Sequence, residues 1–355
     1  MNIAKLASLA LGGAVFALAS NTANAESFNL RIGAGHAATL PYTSQLKDLF
    51  VPEIERRVAE ETEHEVRFVE AYGGSVAKLP EVLEATQSGL LDFGALSTPF
   101  ESSALFLNNY GYAVPFGVSE PSKSSQIARD LYKQFPELPG QLEARGQRVL
   151  AIMAASDYTL VTKEPWETLD DLVGQKIMAA GPNLSWVSAT GATPAQGGLV
   201  EAYNSLQTGV VDGIMMHYQG VNGFKLHEVA PYIAKINLGS LPANLLTANE
   251  KRWQSLPEDV QKIILEVASE YEMAVDRLNT EGDSKSVESM IASGATLLEI
   301  SDDVRVQWAK LMPDVAKAYI DEGEGRDLPM RAVVSAYIAR LKAEGNTIVD
   351  FYTLD

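Results

Sequence analysis

The chain has 355 residues, a formal charge of −18 at pH 7 and 46% hydrophobic residues. So acidic a balance repels nucleic acid and anionic membrane surfaces, so neither is an expected partner. Cysteine is absent, which excludes disulfides, thiolate metal sites, a thiol nucleophile and a lipid-bearing N-terminal cysteine.

Met1 to Lys5 supply a short positive start, residues 6–19 an apolar run, and Ala23-Asn24-Ala25 a small-x-small cleavage site. Together they read as an export signal cut after Ala25, because the apolar run is too short for a confident membrane span. The mature chain is therefore expected in the periplasm, soluble and not lipid-anchored. From Glu26 to Asp355 it is long enough for two lobes of ordinary domain size.

Phe28-Asn29-Leu30-Arg31-Ile32 alternates apolar and polar residues, as a first strand does. Leu46, Leu49, Phe50, Ile54 and Val58 follow at helical spacing, predicting a helix over 41–61. Val66-Arg67-Phe68-Val69 is a second strand, closed by Tyr72-Gly73-Gly74. Residues 79–88 form a short helix stopped at Gly89, and Asp92-Phe93-Gly94-Ala95-Leu96 a buried strand. Strands alternating with helices give an α/β class built on parallel sheets. Gln87-Ser88-Gly89-Leu90-Leu91-Asp92 recurs as Gln207-Thr208-Gly209-Val210-Val211-Asp212. Two readings stay open for this echo, shared turn chemistry or two lobes of related design. Ser255-Leu256-Pro257-Glu258 predicts a capping box. It opens a helix that reaches Ser293 and approaches ~50 Å at 1.5 Å per residue, long enough to run under both lobes. Residues 297–300 are a further strand, and the remainder is helical.

Most motifs of chemistry fail. Gly33-Ala34-Gly35-His36-Ala37-Ala38 matches a dinucleotide fingerprint only locally, since Pro41 interrupts the unit. The plainer role is a turn at a cleft edge. None of His36, His64, His217 and His227 forms a recognised metal spacing, and there is no nucleophile elbow. No catalytic residue, metal or cofactor is expected, and the chain is not expected to be an enzyme.

One segment is informative as a whole. Pro165-Trp166-Glu167-Thr168-Leu169-Asp170-Asp171-Leu172-Val173-Gly174-Gln175-Lys176-Ile177 leads to Gly191-Ala192-Thr193-Pro194, then to Glu201-Ala202-Tyr203-Asn204-Ser205-Leu206 and the second copy of the echo. This resembles the extracytoplasmic solute receptors of tripartite ATP-independent periplasmic (TRAP) transporters. Glu84, Gln87, Gly89 and Asp92, and the run 256–262, extend the resemblance. It implies a two-lobed periplasmic binding protein fold, class II-like, with hinge strands and a long helix spanning both lobes. Residues 26–153 and 245–285 would form lobe I, 154–244 and 286–335 lobe II, and 336–355 a C-terminal segment. It further implies delivery of the solute to small and large integral membrane subunits; the chain itself is expected to be a monomer.

The departures from the family pattern bear on the solute. Where the resemblance implies a carboxylate-clamping Arg, the chain has Met178, and Met216 stands where an Asn is usual. A second Arg position holds Tyr158, preceded by Asp157. A buried carboxylate without a guanidinium is costly, so the expected solute has no carboxylate. Asp157 could pair with an ammonium, while Tyr158, Phe100 and Trp186 offer rings for cation–π contact. These residues point to an amine or amino alcohol such as ethanolamine. A neutral polyol and a carboxylate held by another cation, for instance Lys176, are the alternatives. His36 and Tyr42 after the first strand, and Ser97 and Phe100 after the strand ending at Leu96, occupy strand ends where open α/β sheets place ligands. An exported enzyme or a sensor would be the rival classes.

Overall fold

The computed structural model describes residues 25–352 and 354, so the export signal lies almost wholly outside the described residues. The chain forms two sheets. The first contains β1 (Ser27–Ala34), β2 (Glu65–Ala71), β3 (Phe93–Ser97), β4 (Gln147–Met153) and β10 (Asn244–Asn249), in the order β2-β1-β3-β10-β4. The second contains β5 (Tyr158–Thr162), β6 (Lys176–Ala179), β7 (Thr193–Gln196), β8 (Gly213–His217), β9 (Tyr232–Lys235) and β11 (Thr296–Glu299), in the order β11-β9-β5-β8-β6-β7. β10 runs antiparallel to β3 and β4, and β5 antiparallel to β8 and β9. Read from the opposite edge, the second sheet repeats the first with one strand added.

The echo is the seed of that repetition. Asp92 accepts the Arg31 amide at 2.7 Å through Oδ2, its own amide donates to the Arg31 carbonyl, and its carbonyl accepts from Asn249. Asp212 repeats all three bonds with Lys176 and Lys163, the carboxylate distance being 2.9 Å. Two lobes of related design, not shared turn chemistry alone, account for this. Gly89 and Gly209 end the preceding helices at φ +76° and +74°, where any other L residue is strained. Gly209→Ala should therefore lower stability by about 1 kcal/mol, read as a lower urea midpoint, although a Cβ there meets only the Lys163 ammonium at 3.7 Å.

Chain segments 154–157 and 236–243 carry the backbone between the sheets. Beside them lies the helix Glu258–Ala292. Its apolar face buries Val260, Ile263, Ile264, Val267, Tyr271 and Val275. A second stripe is polar. Glu272 accepts the Ile152 amide at 2.7 Å, Asn279 donates to the Ala154 carbonyl at 2.7 Å, and Asp283 accepts the Asp157 amide at 2.9 Å. Eleven residues of helix and five of extended chain both span about 16 Å, so the crossing strand and the helix stay in register over this stretch. Ser255 does not cap this helix. It ends the preceding helix Glu250–Gln254, and its hydroxyl donates back to the Arg252 carbonyl; Pro257 stands at the start without a side-chain bond. The helix expected over 41–61 is present, but a π-helical stretch, Leu46–Phe50, interrupts it. Among the described residues no helix is long and apolar enough to cross a membrane.

Candidate functional site

The related lobes bring equivalent strand ends together. Ser97 is the last residue of β3 and pairs with Asn244, the first of β10. His217 is the last residue of β8 and pairs with Tyr158, the first of β5. All four line a cleft between the sheets that encloses about 690 Å³, counting its open mouth. The crossing segment adds Ser156, the turn after β1 adds His36, the short helix Pro41–Gln45 adds Tyr42, and the long helix adds Asn279.

Of the residues singled out in the sequence, His36, Tyr42, Ser97, Phe100, Tyr158 and Met216 line this cleft. His36 Nδ1 is 2.7 Å from the Tyr42 hydroxyl, and its ring meets the Phe100 ring edge-on at 6.0 Å. The Tyr42 carbonyl accepts the Tyr271 hydroxyl at 2.5 Å, which ties this wall to the long helix. Burial holds the His36 imidazole down to about 4 and pushes the Tyr42 phenol well above its ordinary range, so both groups are neutral. Burial, reinforced by nearby His36, also lowers His217 to about 4. On the second wall the Tyr158 hydroxyl is 3.2 Å from that of Tyr112, leaving the Tyr158 ring as a cleft surface.

Asp157, Trp186 and Met178 are not among the cleft-lining residues. The Asp157 carboxylate turns away to accept the Gly239 amide at 2.7 Å, joining the two crossing segments. Trp186 is wholly buried, donates from Nε1 to the Tyr112 carbonyl at 2.8 Å and packs edge-on behind Tyr158. Met178 is buried on β6 under Gly197, where a Cβ would come within 2.8 Å of its sulfur. Lys176, the substitute cation considered above, is exposed at the start of β6 and its side chain is not part of the lining.

Residues the sequence reading missed are His217, Gln219, Asn244, Asn279, Ser156 and Asn183, all in the lining. The echo carries a signal for one of them, and strand pairing then locates another. His217 lies five residues after Asp212 as Ser97 lies five after Asp92, and Asn244 faces Ser97 as Tyr158 faces His217. Asn183 is buried, and among the described residues its Nδ2 donor has no partner. Among the described residues no group of three or more His, Asp or Glu side chains could hold a metal ion.

Residues 37–322 match the family described as bacterial extracellular solute-binding protein, family 7 (DctP). The chain belongs to this family. As a family 7 member it is 25% identical over 287 residues to a solute-binding protein of Sulfitobacter sp. (strain NAS-14.1), covering 73% of this chain and 86% of the relative. It is 22% identical over 290 residues to the ectoine-binding periplasmic protein TeaA of Halomonas elongata, covering 79% and 82%. A TRAP periplasmic solute-binding protein from Sulfitobacter sp. NAS-14.1, solved with bound β-D-galacturonate, superposes with a TM-score of 0.74 at 21% identity, covering 87% of this chain and 99% of that one. This family 7 chain thus shares the two-lobed architecture, and the cleft described above lies between its sheets.

Proposed function

We propose that this chain is a periplasmic receptor that captures a small uncharged solute between its lobes and delivers it to the membrane subunits of a TRAP transporter. The carrying observation is the cleft lining, which among the described residues contains no Lys, Arg, Asp or Glu. Its polar groups are amides, hydroxyls and two neutral imidazoles, set among Phe100, Tyr158, Leu199 and Met216. Such a surface pairs with hydroxyl and carbonyl groups and with the apolar face of a compact solute. A bound charge would instead lie buried with no counter-charge among the lining side chains, at a cost of several kcal/mol. The amine reading depended on Asp157, whose carboxylate the Gly239 amide engages away from the lining. Closure follows from contacts made on both walls at once, which exist only when the lobes meet around the solute.

A thermal-shift panel tests this, because a ligand that binds only the folded state raises the melting temperature. Erythritol, glycerol and a neutral lactam are expected to include a stabiliser, whereas ethanolamine and galacturonate leave the midpoint unmoved. Stabilisation by ethanolamine alone would restore the amine reading. A second reading, an organic acid held by neutral donors and balanced by a cleft imidazole that protonates on binding, draws on the Asn183 amide, unpartnered among the described residues, and on the galacturonate-bound relative. That reading requires galacturonate to bind more tightly as pH falls from about 7 toward 5, since an imidazole would take up the balancing proton.

A further inference from the structure

We infer that His217 reads the solute's acceptor oxygen: its ring proton is held on Nε2 and presented to the cleft as a fixed donor. The inference deepens the proposed capture of an uncharged solute and rests on it. The decisive contact is local. The Gly220 amide donates to His217 Nδ1 at 3.0 Å. A backbone N–H can only donate, so Nδ1 must offer its lone pair, and a neutral imidazole then carries its hydrogen on Nε2. The burial that depresses His217 keeps the ring neutral at the pH of function.

Orientation is fixed as tightly as the tautomer. A Cβ at Gly220 would lie 2.9 Å from the ring's Cε1 and 3.2 Å from Nδ1, so only glycine lets the imidazole lie over that turn. Tyr158 meets the ring edge-on, with centroids 6.2 Å apart and planes at 86°. Among the described residues Nε2 has no protein hydrogen-bond partner, and the residue lines the cleft. A donor that cannot switch roles favours a hydroxyl or carbonyl oxygen. An ammonium group would set N–H against N–H, which discriminates against amines even without a nearby cation. His217 is therefore a specificity-determining residue that selects by hydrogen-bond polarity.

The test is nuclear magnetic resonance on ligand-free protein labelled with 15N-histidine. Two-bond 15N–1H correlations near pH 7 separate the tautomers. The signal absent from His217→Asn assigns the residue; Asn retains an acceptor oxygen for the Gly220 amide, and His217→Gln gives the same assignment should the first variant unfold. The expected result is an Nε2–H tautomer whose proton resonance shifts when glycerol is added to molar concentration. His64, which accepts the Glu26 amide on the outer side of the first lobe, should not shift. An Nδ1–H tautomer, a cationic ring, or an Nε2–H that glycerol leaves unmoved overturns the inference. A thermal panel answered only by charged solutes, with this tautomer intact, instead overturns the choice of uncharged solutes and leaves the ring chemistry standing.

Discussion

Met178→Arg is expected to destabilise the empty protein by on the order of 3 kcal/mol and to create affinity for organic acids that the parent lacks. Met178 lies on β6 with 3% of its surface exposed, beside Ala195 of β7 and Ile214 of β8. It belongs to the same hydrophobic core as Leu199 and Met216, both of which reach the cleft. An arginine stem can follow the methionine path, but the guanidinium then lies among apolar groups with no carboxylate in the cleft lining to neutralise it. A bound carboxylate would supply that partner in bidentate geometry and recover much of the loss. The measurement is a melting curve of parent and variant with and without galacturonate. The variant should melt lower when empty and rise on adding galacturonate, with the parent indifferent. A parent stabilised by galacturonate would sink the uncharged-solute proposal; a variant that melts like the parent and ignores the acid would mean that position 178 has no path to the cleft.

The same position marks what the sequence could convey. A missing guanidinium is legible because it is an absence at a definite place in a recognisable pattern. The direction in which Asp157 points is not, because a strand places neighbouring side chains on opposite faces and only the fold says which face meets the cleft. Tyr158 faces the cleft, and Asp157 beside it engages Gly239 instead. Trp186 was legible as a large ring near the site but not as a support, since its indole bond to the Tyr112 carbonyl joins elements 74 positions apart. The long helix was read from its apolar spacing, Ile263 to Leu278, and its length was recovered almost fully. Its polar stripe of Glu272, Asp276, Asn279 and Asp283 has the same helical spacing. In an acidic chain such a stripe resembles a solvated face until a crossing strand is found lying on it.

That stripe leads to the second large effect: Asp157→Asn should stabilise the protein at pH 8 and leave it nearly unchanged at pH 4. Burial, opposed by the Gly239 amide and reinforced by nearby Asp283, raises the Asp157 carboxyl to about 7. Asp283, also raised mainly by burial, stands at about 6. A carboxyl raised in the folded state keeps its proton where the unfolded chain has lost it. Its contribution is full below the unfolded value near 4 and falls away as pH rises through about 7. Asparagine has no proton to lose and preserves an oxygen for the Gly239 amide, so the penalty of the buried charge disappears while the link between the crossing segments survives. The gain at pH 8 should be on the order of 2–4 kcal/mol, read as a higher urea midpoint, with most of the difference gone at pH 4. Equal urea midpoints for parent and variant at pH 8 would mean that Asp157 is already stable as an anion in the hinge. A variant weaker at both pH values would mean that the hinge needs the carboxylate's charge as well as its oxygen.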